Sequence, residues 1–276
     1  MRRALGFGLF VAVAVVTLAF LALPIVGIFA HTSPAKIIDQ LSNPVVTDAL
    51  VVTLKTSLIA QAAIILFGTP TAYLLATRRF PGHPLAVTLV ELPLVLPPAV
   101  AGVGLLAALG RFGLLGSSLR AVGIELPFTQ AAVTVAVAYV ASPLYIRQAI
   151  AVFEATDPHL TAASRTLGAG PVRTFFRVVL PLARGGLVAG LALSFARGLG
   201  EFGATIMFAG SLAKVTQTLP LAIYQEFDVN FNVTLAMSAV LVLISVVLLL
   251  TLRIALSWRS SPSTRSPSLF GLSASS

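Results

Sequence analysis

The sequence predicts an all-α fold: a polytopic membrane protein with six transmembrane helices. Three observations predict it. Hydrophobic residues make up 57% of the 276 residues and charged residues only 10%, whereas about 25% are charged in a water-soluble domain. Six apolar stretches each reach the ~20 helical residues that cross a bilayer. There is no Cys, which removes disulfides, thiolate metal sites and cysteine nucleophiles. An ordinary cytosolic enzyme, a disordered chain and a secreted disulfide scaffold are thereby excluded. The net charge of +9 does not point to nucleic acid, because the 18 Lys and Arg are spread between apolar segments, as topology determinants are.

The spans are expected at 4–30, 50–77, 85–109, 130–152, 185–209 and 234–256. The first follows Arg2-Arg3, as a signal peptide would. It is nearly twice as long as the about 7–15 residues of a signal core, and Ile28-Phe29-Ala30 is a poor cleavage site, so it reads as a retained helix. The second span carries Lys55, Gln61 and Pro70. The third carries Glu91 together with Pro93, Pro97 and Pro98, and Gly102 and Gly104 follow. Each Pro removes an N–H and crowds the preceding turn, so this helix is expected to break or kink. Two readings stay open there: a packing kink, or an interruption lining a pathway, whose freed N–H groups meet an anion.

In the fifth span Ser194, Arg197, Gly198, Glu201 and Thr205 fall at i, i+3, i+4, i+7 and i+11, one stripe of a continuous helix. Arg197 and Glu201 are placed to pair. A lone charge in a bilayer costs a few kcal/mol, so both should face a protein interior or a wet cavity. Again two readings stand: a structural ion pair, or a pathway in which Gly200 and Gly203 permit tight approach at an outer gate.

Charge asymmetry sets the expected direction. With the N-terminus inside, the cytoplasmic side holds twelve cations: Arg2, Arg3, Arg78, Arg79, Arg147, Arg165, Arg173, Arg177, Arg184, Arg253, Arg259 and Arg265. The outside holds four: Lys36, Arg111, Arg120 and Lys214. Both termini are then cytoplasmic. The Ser- and Pro-rich tail 257–276 lacks apolar periodicity and reads as disordered.

The cytoplasmic loop 153–184 is the one with structure of its own. Asp157 caps a helix start and Pro158 suits its first position. Leu160, Ala163, Ser164 and Leu167 share one face, and Gly168 ends the helix where a left-handed residue is wanted. A second helix starts at Pro171, with an apolar face of Val172, Phe175, Phe176 and Val179, and Leu180-Pro181 is expected to close the unit. The first helix is too weakly apolar for a membrane anchor and better fits a groove on a protein partner, though a helix on lipid headgroups remains the alternative.

These residues carry a resemblance. Ala162-Ala163-Ser164-Arg165-Thr166-Leu167-Gly168, with Val178-Val179-Leu180-Pro181 at matching distance, resembles the cytoplasmic EAA loop of bacterial ABC-importer permeases. Ala162 stands where the family has Glu, Ser164 replaces its second Ala, and Val178 replaces its Ile. A second block, Gly200-Glu201-Phe202-Gly203-Ala204-Thr205-Ile206-Met207-Phe208-Ala209-Gly210 and then 216–224, is similar to molybdate-type permease subunits; sulfate permeases share the Gly-Glu-Phe-Gly core.

The resemblance implies a type I ABC importer permease fold in the cell inner membrane, with a second copy of the chain completing the pore. It implies cytoplasmic ABC ATPase subunits that carry ATP-Mg, and an extracytoplasmic oxyanion-binding protein. It assigns Asp157, Pro158, Leu160, Ala162, Ala163, Ser164, Arg165, Leu167, Gly168, Leu180 and Pro181 to the ATPase-coupling loop. The pathway or gate would then involve Pro97, Pro98, Ser194, Arg197, Glu201, Gly203 and Thr205. The expected cargo is molybdate, with tungstate, sulfate or thiosulfate as alternatives.

The chain has no G-x-x-x-x-G-K-[ST] motif, so no nucleotide cofactor is expected on it. Gly198-x-Gly200-x-x-Gly203 lies inside a span and reads as close helix packing instead of a dinucleotide fingerprint. His31, His83 and His159 are expected in loops, and no metal cluster accompanies them. The readings from other classes are a passive channel or secondary carrier, which needs no docking loop, and an intramembrane enzyme, for which no catalytic pair is present.

Overall fold

A computed structural model describes the backbone of residues 2–257 and the side chains of 7–251. The tail 257–276 expected to be disordered lies almost wholly outside the described residues, and so do the side chains of Arg2, Arg3, Arg253, Arg259 and Arg265.

In chain order the helices are α1 (Arg2–His31), α2 (Pro34–Gln40), α3 (Pro44–Thr77), α4 (His83–Val95), α5 (Pro98–Leu109), α6 (Gly116–Ala121), α7 (Gln130–Glu154) and α8 (Pro158–Thr166). Then come α9 (Pro171–Thr174), a π-helical turn (Phe175–Val179), α10 (Leu180–Leu199), α11 (Gly203–Ala209), α12 (Leu219–Glu226) and α13 (Phe231–Ser257). Among the described residues five stretches are long and apolar enough to span a membrane unbroken, and α4 with α5 forms a bent pair, a broken sixth span or a re-entrant loop.

Three of these depart from the sequence expectation. The second span starts at Pro44, not 50, because the Asn43 side chain accepts a bond from the Val45 N–H at 3.0 Å and caps the helix there. The third is two helices bent by 118° at Leu96–Pro97. Thirteen and twelve residues give rods of about 20 and 18 Å, each shorter than the ~30 Å hydrocarbon core. The third departure is in the fifth span. Its helix begins at Pro171, and Leu180-Pro181 lies inside it instead of closing a separate unit. Leu180 donates to the Phe175 carbonyl five residues back, and this wider turn receives Pro181, which has no N–H to give.

The extra residue in the π turn also splits the expected apolar face. Val179 is buried and Phe175 packs against the core, while Val172 and Phe176 stay exposed. The histidines sit at helices, not loops: His31 ends α1, His83 begins α4 and His159 lies in the first turn of α8.

The core is the packing of α7 between α3 and α10. Small residues interleave with large ones there: Ala132, Ala136, Ala141 and Ala149 of α7, Ala60 and Ala72 of α3 and Ala183 of α10 share the core with Val133, Val137, Tyr145, Ile64 and Leu187. Lipid-like surroundings supply no hydrophobic drive between helices, so close backbone approach through small residues does the work. Near one end, Val46 and Ala49 of α3 join Leu219, Ala222, Val233 and Met237 to seat α12 and α13. By contrast most of α1 is uncovered: it packs against α13 near Ile28, while Phe7, Phe10, Val16 and Phe20 are exposed.

Contacts fix which helix ends share a side. Arg79 at the end of α3 pairs with Glu154 at the end of α7 (3.4 Å), and Arg147 pairs with Glu91 of α4 (3.1 Å). At the other end Lys55 of α3 donates to Gln130 of α7 at 2.8 Å.

Candidate functional site

Two features stand at opposite ends of the helical stretch Pro171–Leu199. Its 29 residues span about 40 Å.

The first is α8. Asp157 Oδ1 accepts from the His159 N–H at 2.8 Å, and Pro158 occupies the first turn. At the other end Gly168 has φ +82°, the left-handed region. There the Gly168 N–H bonds to the Arg165 carbonyl (2.9 Å) and the Ala169 N–H to that of Ser164 (3.1 Å), the paired bonds of a Schellman cap. Ser164 and Thr174 share a hydroxyl–hydroxyl bond of 3.1 Å that fixes α8 against the start of the next helix. No residue of α8 is buried. Leu160, Ala162, Ala163, Arg165 and Leu167 are exposed, Leu167 by 88%. The helix is thus capped at both ends and braced through Ser164, with Leu160, Ala163 and Leu167 open.

The second feature is the break between α10 and α11. The stripe expected on one continuous helix is not continuous: α10 ends at Leu199, and residues 200–202 turn the chain before α11. Thr205 therefore belongs to a different helix from Ser194, Arg197 and Gly198. The ion pair forms nonetheless, with Arg197 Nη1 2.8 Å from Glu201 Oε2. The other carboxylate oxygen, Oε1, accepts the Ala204 N–H at 2.7 Å and so caps α11. Glu201 is 2% exposed, whereas about a third of the Arg197 side chain is open. The helix gives way here because its glycines offer no side chains to hold it and the Glu201 carboxylate binds the next segment's backbone instead.

Ser194 is fully buried and bridges three helices: its Oγ donates to the Ala141 carbonyl (3.0 Å) and accepts from Gln61 Nε2 (3.3 Å). Thr205 Oγ1 and Gln61 Oε1 are buried without a protein partner.

The two proline and glycine clusters read separately in the sequence meet here. A Cβ on Gly203 would lie 2.8 Å from Pro98 Cβ, and one on Gly102 would lie 2.6 Å from the Ala204 carbonyl oxygen. The start of α5 thus packs backbone to backbone on α11, just past Pro97, which precedes α5 with an extended conformation. In the sequence Gln61 is an amide at mid-span, which is itself a signal of a polar partner; nothing in its stretch points to the Ala141 carbonyl or to the role of Gly102.

The family model for the inner membrane component of binding-protein-dependent transport systems matches residues 64–258. The molybdenum transport system permease protein ModB of Mycobacterium tuberculosis is 37% identical over 237 residues, 86% of this chain and 90% of that protein. The sulfate transport system permease protein CysT of Salmonella typhimurium is 37% identical over 226 residues, 81% of each chain. Among solved structures, a bacterial alginate ABC transporter in complex with an alginate pentasaccharide-bound periplasmic protein aligns with TM-score 0.64 at 16% identity. That alignment covers 92% of this chain and 93% of the other.

Proposed function

The chain belongs to the family of inner membrane components of binding-protein-dependent transport systems, and from that premise we propose how it works: as the permease subunit of an ATP-driven ABC importer that carries molybdate into the cytoplasm. The observation that carries this reading is α8, a rigidly capped helix with no buried residue, joined through one helix to the broken segment at Glu201. A passive channel or secondary carrier has no use for such a docking element.

In this reading α8 and the arginine-rich ends around it face the cytoplasm, as the twelve-to-four distribution of cations favours. The side chains described at that end include Arg78, Arg79, Arg147, Arg165, Arg173, Arg177 and Arg184. Two copies of the chain form the pore, and each α8 seats in a groove of a separate ATPase subunit, which holds ATP-Mg. This chain itself makes and breaks no covalent bond. ATP binding draws the ATPases together, and α8 transmits the movement along α10 to the α10–α11 break. The spans then open toward an extracytoplasmic binding protein that delivers the anion. Hydrolysis returns them to the inward-open state.

Arg197, partly open and anchored by Glu201, lends positive character to the path. Pro98 and Gly203 build the close α5–α11 contact that acts as the gate, with Pro97 just before α5, Thr205 buried within α11 and Ser194 fixing the helix behind it. Molybdate is favoured by the similarity of 200–224 to molybdate-type permeases. The equal identity to a sulfate permease keeps sulfate as the second reading, since both are tetrahedral dianions.

Uptake of radiolabelled molybdate, tungstate and sulfate into proteoliposomes containing the chain, its ATPase and its binding protein tests the proposal. ATP-dependent uptake with molybdate preferred is expected. Uptake that persists without ATP would replace the importer with a passive pathway.

A further inference from the structure

An apolar groove of about 880 Å³ runs along the flank of the bundle between α3 and α10. Its walls come from Ile65–Thr77 and Leu180–Leu191, membrane-spanning parts of both helices, and the exposed Phe176 also lines it. On its floor Thr69 Oγ1 and Tyr145 OH lie 2.6 Å apart and satisfy one another, so that pair seeks no ligand. The charged groups in its lining are Arg78 and Arg184. Both are exposed. The salt bridges among the described residues engage Arg79, Arg147, Arg197 and Lys214, not these two. Arg78 caps the end of α3 and Arg184 lies near the start of α10, so both belong to the end of the bundle that bears α8.

We propose that this groove is a binding site for one anionic phospholipid, with its acyl chain along the α3–α10 wall and its headgroup phosphate held by Arg78 and Arg184. Basic pockets between transmembrane helices at the headgroup level select anionic lipids, and two free guanidiniums above an apolar trough reproduce that chemistry. The other candidate at this depth is a helix from a second copy of the chain. The exposed apolar helix of a second copy, α1, begins Arg2-Arg3 and contains no Asp or Glu, so it offers no counter-charge to Arg78 and Arg184. The anionic lipid neutralises them. The proposal requires only that the bundle lies in a membrane, and it stands or falls independently of the transported anion.

The test is native mass spectrometry of the full chain, reconstituted in bilayers of equal phosphatidylglycerol and phosphatidylcholine and then released. Wild-type protein should retain one phosphatidylglycerol in preference to phosphatidylcholine. The double variant Arg78→Gln, Arg184→Gln should lose that preference by about 30-fold, each arginine contributing about five-fold at the membrane surface. Val188→Trp, which fills the groove while leaving both arginines, should lower retention of both lipids. Equal retention of the two lipids by wild-type protein overturns the proposal without any variant. So does unchanged phosphatidylglycerol binding in the double variant. A disulfide between copies formed by Leu66→Cys and Val188→Cys would assign the groove to the second copy instead.

Discussion

The ion pair between Arg197 and Glu201 crosses the break between two helices. Arg197 lies in the last turn of α10, Glu201 lies past its end, and the 2.8 Å contact is joined by a 2.7 Å bond from the Ala204 N–H of α11 to the same carboxylate. One buried carboxylate thus fastens the end of one helix to the beginning of the next, and the guanidinium that holds it remains partly open.

This asymmetry separates the two residues by experiment. Glu201→Ala removes both the partner of Arg197 and the acceptor of the Ala204 N–H, and a buried donor left unpaired costs about 1–3 kcal/mol, so the amount of membrane-inserted protein should fall. Arg197→Gln keeps a donor for Glu201 Oε2 while removing the charge. With the carboxylate still buried and no longer facing a cation, it should accumulate less than wild type, and per inserted molecule it should lose at least about ten-fold of its anion uptake, as the loss of one charge-assisted contact implies. Immunoblotting beside uptake assays reads both. Normal uptake per inserted molecule by Arg197→Gln would leave the pair a purely structural role.

At Gly168 a Cβ would meet nothing within 4 Å, but φ is +82°, which costs an ordinary residue roughly 1–2 kcal/mol. Gly168→Asn, which tolerates that conformation, should keep most ATPase association. Gly168→Asp adds a charge at the exposed face of α8 and should insert in the membrane yet fail to co-purify with the ATPase. Co-purification yields decide, and wild-type association by the Asp variant would remove α8 from the docking surface.

The α5–α11 contact leaves no room for a methyl group on either glycine. Gly102→Ala and Gly203→Ala should each lower thermal stability by about 1–3 kcal/mol, the usual cost of overpacking. The loss should be greater at Gly102, where the obstacle is the Ala204 backbone carbonyl and not a ring carbon. Thermal unfolding of the purified variants ranks them.

The Gln61–Ser194–Ala141 bridge permits a double-mutant cycle. Ser194→Ala strands the Gln61 amide and should cost about 1–3 kcal/mol. Gln61→Leu removes that amide together with its unpartnered Oε1 and should be much milder. In the double variant the penalty of Ser194→Ala should shrink, since no amide is left stranded. Additive losses would show that the two side chains are not coupled.

The natural absence of Cys makes single-cysteine labelling direct. Leu167→Cys, 88% exposed beside α8, should react with a membrane-impermeant maleimide only in inverted vesicles. Phe112→Cys, 94% exposed at the other end, should react only in right-side-out ones. The reverse pattern would invert the proposed orientation.

The sequence by itself determined the membrane class, the number of apolar stretches and the local form of α8. It did so because hydropathy over ~20 residues and the capping chemistry of Asp157, Pro158 and Gly168 act within a few turns of chain. It also placed Arg197 one turn from Glu201. Only the tertiary structure decided that the fifth span breaks after Leu199, that Leu180-Pro181 continues a helix through a π turn, and that Pro98 meets the glycine at 203. Those outcomes depend on which backbone a distant segment presents: a carboxylate that caps a neighbouring helix, or a glycine that admits a proline from another span, leaves no periodicity in its own stretch of sequence. The partners of Gln61 were hidden for the same reason, because Ser194 and the Ala141 carbonyl reach it only once α3, α7 and α10 have packed.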